Sequence, residues 1–388
     1  MIFILPFFVI YLHILKPDYV SHRKIVDFNQ FLSLEREWNT LEQKNPNVFL
    51  RHEWFKSWWM AYGNHKKLWI LLVKENNELI GIAPLMLSKT LFRFFPVRRI
   101  EFIKNDESPR CDFLYKDREK TIKKIIDYLI SYNKWDLVTL EGIPEDSKTP
   151  ELLKRYCSER KLDILIKPSL NSPFLNINTD WKTFYKSKTQ RFKKRLRYNK
   201  NKIKKLGQIT IDHITSNNIE KALSEVFYIG HKSWKEQTKK SISSTNENKK
   251  FFFYLTNEAA LKEWLSLWIL RIEGKPVAFE YHLKYKNIVH ALRAEFDEHY
   301  EKYSPGSVLD AYIVEQLFSK NIKGYDMGGS ADAYKTHWTS CLKLHVNVFI
   351  FNKKLYSKFI KSIESKMIPF LKKNRIVKTI RNYISRQG

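Results

Sequence analysis

The sequence predicts an α/β fold built from two similar halves. Three observations carry that prediction. One pattern occurs twice: Leu68-Trp69-Ile70-Leu71 opens LWILLVKENNELIGIAPLML, and Leu267-Trp268-Ile269-Leu270 opens LWILRIEGKPVAFEYHLKY. Each copy is an apolar run, a short polar turn (Glu75-Asn76-Asn77-Glu78, then Glu273-Gly274-Lys275) and a second apolar run, the pattern of a β-hairpin. In both halves, helical periodicity alternates with strand-like runs, which argues for α/β layering. Finally, 388 residues with 43% hydrophobic and 15% aromatic content can bury a large core and exclude a disordered chain. That length sets a prior of two domains.

The elements follow in order. The first fifteen residues, MIFILPFFVIYLHIL, are apolar, but a spanning helix needs ~20 such residues. The run lacks the basic start and the cleavage site of a signal peptide, and no secretion is expected. A membrane-dipping anchor, a core strand and an over-extended start all remain open for it. Phe55–Tyr62 and Ile219–Trp234 read as amphipathic helices before the two hairpins. Asp117–Tyr132 reads as a helix followed by a buried strand at Trp135–Leu140. Val308–Ser319 and Gly324–Met327 repeat that order. Asn171-Ser172-Pro173 is expected at the junction. The expected division is an apolar segment at 1–20, halves at 21–170 and 171–345, and basic amphipathic helices at 346–388.

Charge narrows the partners. Lys and Arg number 69 against 41 Asp and Glu, so the formal charge is +28 and polyanions are favoured ligands. Two clusters concentrate it. Lys186–Lys205 holds eleven Lys or Arg and no acid, and Asn352–Gly388 holds eleven against Glu364 alone. The tail spaces Leu355, Phe359, Ile363 and Met367 four apart, then Ile376, Ile380 and Ile384. That is the pattern of basic amphipathic helices suited to an anionic membrane, with a packed terminal helix as the plain reading. Cys111, Cys157 and Cys341 form no zinc spacing or disulfide framework, so a reducing, cytoplasmic location is expected, with peripheral contact at the inner membrane face. No metal site, P-loop, dinucleotide fingerprint or Ser-His-Asp order is found.

The chemistry concentrates between His290 and Trp338. HALRAEF (His290–Phe296) reads as a strand, Ser304-Pro305-Gly306-Ser307-Val308 as a loop opening a helix, and KGYDMGG as a returning strand. Gly306 permits close approach of backbone to a ligand, and helix-start N–H groups favour phosphate. An ordinary Pro-Gly turn with a serine cap also accounts for the loop. Proton-transfer chemistry beside such a loop would need a positioned acid or base. Candidates near this place are Asp326, Tyr334 and Lys335, with Glu280, His282 and Arg293.

SPGSVLDAYIVEQLFSKNIKGYDMGGSADAYKTHW resembles the CelD-like acetyltransferases of the GNAT superfamily. Their pattern runs sPG-x-x-L, G-x-x-x-fD-x-g-x-g and yK-x-x-W. Here it falls on Ser304-Pro305-Gly306 with Leu309, Gly324 with Asp326 and Gly328, and Tyr334-Lys335 with Trp338. FLRHEWFKSWW, ELIGIAPL and WDLVTLEGIP match the family's earlier segments, so the resemblance covers roughly residues 45 to 340. It implies two tandem GNAT-like halves, each a mixed central sheet flanked by helices. It also implies acetyl-CoA or another acyl-CoA as co-substrate, with its pyrophosphate at Ser304, Pro305, Gly306, Ser307 and Val308, and Asp326, Lys335 and Tyr334 in catalysis. The loop keeps one glycine where the superfamily's Q/R-x-x-G-x-G/A has two small residues.

The same double plan occurs in FemAB-type peptidyltransferases, which use aminoacyl-tRNA. Lys186–Lys205 resembles the basic helix of both families, so Arg191, Lys194 and Arg195 are expected to hold an anionic acceptor. The expected function is acyl transfer to an amine or hydroxyl of a sugar or cell-envelope precursor. Aminoacyl transfer from tRNA and a non-catalytic membrane or polysaccharide-machinery module are the alternatives. The first half lacks an S-P-G-S counterpart, since Asp106–Asp112 has no glycine, and is expected to shape the acceptor cleft.

Overall fold

The computed structural model describes residues 20–44 and 46–369. The apolar run at 1–15 and the tail positions Ile376, Ile380 and Ile384 lie outside the described residues. The first-half strands are β1 (Val20–Ile25), β2 (Lys67–Leu68), β3 (Ile70–Glu75), β4 (Glu78–Ala83), β5 (Leu85–Phe92), β6 (Phe95–Phe102), β7 (Leu114–Tyr115) and β8 (Leu137–Pro144). Then come β9 (Asp163–Asn176), β10 (Ile209–Ile214), β11 (Leu265–Ile272), β12 (Lys275–Tyr285), β13 (Ile288–Phe296), β14 (Gly324–Asp326) and β15 (Leu342–Phe351).

Both expected hairpins form. β3 pairs with β4 and β11 with β12, antiparallel in each case. Their turns place two consecutive residues at positive φ, Asn76 and Asn77 (48° and 68°), then Glu273 and Gly274 (50° and 75°). Left-handed turn residues match the twist of the flanking strands.

Two parallel contacts interrupt an otherwise antiparallel arrangement, and they occupy equivalent places. β6 lies parallel to β8, joined through the helix Arg118–Tyr132, and β13 lies parallel to β14, joined through the helix Pro305–Ser319. A parallel pair needs such a crossover. Each half is therefore a hairpin followed by a strand–helix–strand crossover, a tandem GNAT-like arrangement with a mixed sheet in each half. Eleven strands join edge to edge in the order β10-β11-β12-β13-β14-β9-β15-β8-β6-β5-β2, while β1-β3-β4-β7 form a separate sheet.

Two expected boundaries fall inside strands. The 170/171 boundary lies within β9, which pairs with β14 of the second half and with β15. Position 346, expected to begin the tail helices, lies within β15, which inserts between β8 and β9. LKLHVNVFIF alternates polar and apolar, and pairing it buries Val346, Val348 and Ile350 in the main core. The two halves share that core. Trp54 of the helix His52–Tyr62 meets Phe251 of the helix Asn246–Leu261 at 5.3 Å, and Tyr62 donates to Asn248 Oδ1 at 2.9 Å.

The tail helix begins at Leu355, runs to Ser362 and passes into a π-helical turn at Ile363–Met367. Of the stripe expected at Leu355, Phe359, Ile363 and Met367, only Ile363 is buried. Ser357, Ile360 and Glu364 are buried beside it. A π turn advances the register by one residue. Glu364 then faces Arg93, whose Nε donates at 2.8 Å, and Lys167.

Candidate active site

The helix Pro305–Ser319 sets one wall of the site. Pro305 takes its first position, where a missing N–H costs nothing, and Leu309, Ile313, Val314 and Leu317 form its buried face. Each such side chain contributes roughly 1.5–3 kcal/mol on burial. Ser304 precedes it at φ 52° and makes no side-chain cap. Ser304 N–H donates to Glu301 O and Val308 N–H to Ser304 O. The N–H groups of Gly306 and Ser307 have no hydrogen bond among the described residues.

β13 and β14 pair only from Ile288 to His290 and from Gly324 to Asp326. β13 then continues to Phe296 along β12, while β14 turns away at Met327–Gly329. Gly328 (φ 59°) makes that turn possible, since a Cβ there would stand 2.5 Å from Ala291 O. The strands open into a cavity of about 190 Å³, bounded by Ala291–Ala294 on one side and Met327–Ser330 on the other.

Buried ionisable groups converge on this opening. Glu280 and Asp310 line it, both almost fully buried. Burial pushes the Glu280 carboxyl up to about 8, and burial with the nearby Glu280 charge pushes Asp310 up to about 8. Trp338 Nε1 donates to Asp310 Oδ2 at 2.5 Å, and Tyr325 OH reaches Glu280 Oε2 at 3.4 Å. His282 lies behind Glu280, with Nε2 at 2.9 Å from Oε2 and Nδ1 unpartnered. Burial lowers that imidazole to about 3. Lys335 donates to Gly328 O at 2.8 Å and so braces the turn, and burial lowers its pKa. Tyr334 lines the same cavity with its side chain half exposed.

Asp326 sits behind the cavity. It is ion-paired with Arg110, accepts Gly328 N–H at 3.1 Å and lies 3.2 Å from His290 Nδ1. Against burial, which would raise it, Arg110 and then His290 hold its carboxyl below the usual range. Arg110 belongs to the first half. Its segment lies across the place equivalent to the opening, since Cys111 N–H donates to Gly142 O at 3.2 Å. Glu107 of the same segment pairs with Arg293, which lines the opening.

Two further cavities flank the helix Gln190–Lys204. One, of about 800 Å³, takes Arg191 and Arg195 together with Lys188 and His337. Lys194 is exposed and lines neither cavity. The other, of about 540 Å³, has an apolar floor including Trp181, Ile203 and Tyr312, a rim of Arg197, Lys200 and Lys204, and Ser307 and Val308 at one end. The structure thus gathers Glu280, Arg293, Tyr334 and Lys335 around one opening, with His282 and Asp326 behind it. Asp310, Lys235 and Arg110 are added by the fold. Among the described residues, no group of three or more His, Cys, Asp or Glu is placed to hold a metal ion.

Residues 190–336, which contain every residue lining the opening between β13 and β14, match the acetyltransferase (GNAT) domain family. The fold is that of a GNAT-type acyltransferase. A conserved protein of unknown function from Bacteroides thetaiotaomicron superposes with a TM-score of 0.55 at 13% identity, over 86% of this chain and all of that one. FemX gives 0.55 at 10% identity, over 88% of this chain and 100% of its own, and L-PGS from Bacillus licheniformis gives 0.53 at 11%, over 84% and 94%. At these identities the likeness is one of fold. No curated protein matches the chain in sequence.

Proposed function

We propose that this protein moves an acyl group from acyl-CoA to an amine or hydroxyl, and that the reaction takes place where β13 and β14 part. The observation that carries the reading is that opening. A strand edge loses its partner at His290, a buried carboxyl raised to about 8 lines the gap, and a helix start with free N–H groups follows the same strand. Outward peptide groups of Ala291–Ala294 can bond the donor's amides and the carbonyl oxygen as it gains charge. The phosphates fit the Gly306 and Ser307 N–H groups and the dipole behind them.

In the step itself, the acceptor's N–H or O–H bond breaks and Glu280 takes the proton. The acceptor atom bonds the acyl carbon, the carbon–sulfur bond breaks, and the thiolate leaves and is protonated by Tyr334. Asp326, locked between Arg110 and His290, fits a positioning part better than that of base. Lys335 positions the turn at Gly328. The CelD-like sequence pattern favours a sugar or cell-envelope precursor as acceptor. Arg191 and Arg195, in their own cavity, suit a phosphate on it.

One observation favours a second reading, aminoacyl transfer from charged tRNA. The helix Gln190–Lys204 and its approach carry an acid-free, exposed basic surface over twenty residues, more than a small acceptor needs. Titration of the full chain with acetyl-CoA, CoA and aminoacyl-tRNA separates the two. Saturable acetyl-CoA binding supports the proposal. Binding of aminoacyl-tRNA with none of CoA replaces it.

A further inference from the structure

Four hairpin turns among the described residues place two consecutive residues at positive φ. In three of them the second residue is Asn77, Gly274 or Asn287, residues suited to the left-handed region. In the fourth, between β5 and β6, it is Phe94 at φ 73°, after Arg93 at φ 49°. A bulky aromatic there strains the backbone. It gains no packing in return, because Phe94 is 92% exposed. Nothing in the folding of this chain calls for that residue at that place.

The turn shares a surface with the tail helix. Arg93 bonds Glu364, the Phe95 ring meets the Phe359 ring edge-on at 5.2 Å, and Tyr356 OH donates to Pro96 O at 2.7 Å. On that helix Leu355 is 86% exposed and Phe359 half exposed. Lys353, Lys358 and Lys366 stand exposed among them. The acids of this face are already neutralised: Glu364 by Arg93 and Lys167, and Asp163 by Lys361 at 2.5 Å. The sequence beyond, 370–388, adds six Lys or Arg and no acid.

We infer that this face docks on an anionic lipid bilayer. Phe94, Leu355 and Phe359 enter the headgroup boundary while the lysines meet lipid phosphates. Charge complementarity selects this occupant, since a bilayer offers an apolar interior beneath a negative surface and the face offers apolar tips within an acid-neutralised cationic rim. Stable interfacial binding takes an apolar and an electrostatic signal together, and both are present here. No helix among the described residues is long and apolar enough to cross a membrane.

Flotation of the full chain with phosphatidylcholine vesicles, with and without phosphatidylglycerol, tests the inference. The wild type floats only with the anionic vesicles and is released by salt. Phe94→Ser with Leu355→Ser lowers the bound fraction about tenfold. Both side chains are exposed, so an unchanged thermal midpoint checks that the variant is folded. A wild type that does not float, or a double variant that floats as well as the wild type, overturns the inference. In the second case the face is left to a protein partner or to the basic tail alone.

Discussion

His282 Nε2 lies 2.9 Å from Glu280 Oε2, two residues away on the same strand, and burial moves the two groups in opposite directions. The imidazole falls to about 3 and the carboxyl rises to about 8. Near neutrality the pair is therefore uncharged. It sits beside a cavity open enough to admit a reacting group, and its carboxyl, once ionised near pH 8, can accept the proton that an amine or hydroxyl loses on attack. Such a balance is what a general base needs.

A pH–rate profile follows from it. Glu280 acts as base only when ionised, so kcat/KM rises with pH and levels off above about 8. Glu280→Gln removes that arm and lowers turnover by about 10²–10⁴. A variant with near-normal rate and the same profile would remove Glu280 from the chemistry.

Stability runs the other way. Glu280 and Asp310 have folded-state values raised far above those of an unfolded chain, so the native state holds more protons between about 4 and 8. Their contribution is fully present below that window and is lost as the pH rises through about 8. Asp310→Asn keeps an acceptor for Trp338 Nε1 and cannot ionise. Its melting temperature at pH 8.5 should exceed that of the wild type, with the gap closing at pH 5. Differential scanning fluorimetry at the two values checks both the sign and the convergence.

Asp326→Asn should act on stability first. It leaves Arg110 buried without its counter-charge, which costs roughly 3–5 kcal/mol. The wild-type pair keeps its contribution above the ordinary carboxylate range and loses it only as the pH falls below. Urea unfolding measures the loss. Turnover per folded molecule should fall far less than in Glu280→Gln, and an equal fall would return Asp326 to the chemistry.

How much of this was legible in the sequence depends on distance along the chain. The two hairpins and the strand–loop–helix at His290–Ser319 are local patterns, and they stand where the periodicity puts them. β15 has an equally clear alternation, but its partners β8 and β9 lie some two hundred residues earlier, and its basic surroundings drew it into the tail. Asp310 carries no local mark that separates it from the other polar residues of its helix. Only the packing of Trp338 against that helix turns it inward. Arg110 had no local mark at all, because its role is set by the meeting of the two halves.

The cavity holding Arg191 and Arg195 should bind charge without setting the chemistry. Replacing both with Ala should raise the acceptor KM about tenfold, flatten its salt dependence and leave kcat within a few-fold. Lys194→Ala, outside that cavity, should change little. Steady-state assays over a range of salt concentrations separate these outcomes.

The central claim is that acyl-CoA occupies the gap between β13 and β14. Amide hydrogen exchange read by mass spectrometry, with and without saturating acetyl-CoA, tests it most directly. The account predicts slowed exchange confined to Ala291–Phe296, Gly306–Leu309 and Met327–Ser330. Protection centred on Asn105–Cys111 of the first half, or no protection anywhere, would contradict it.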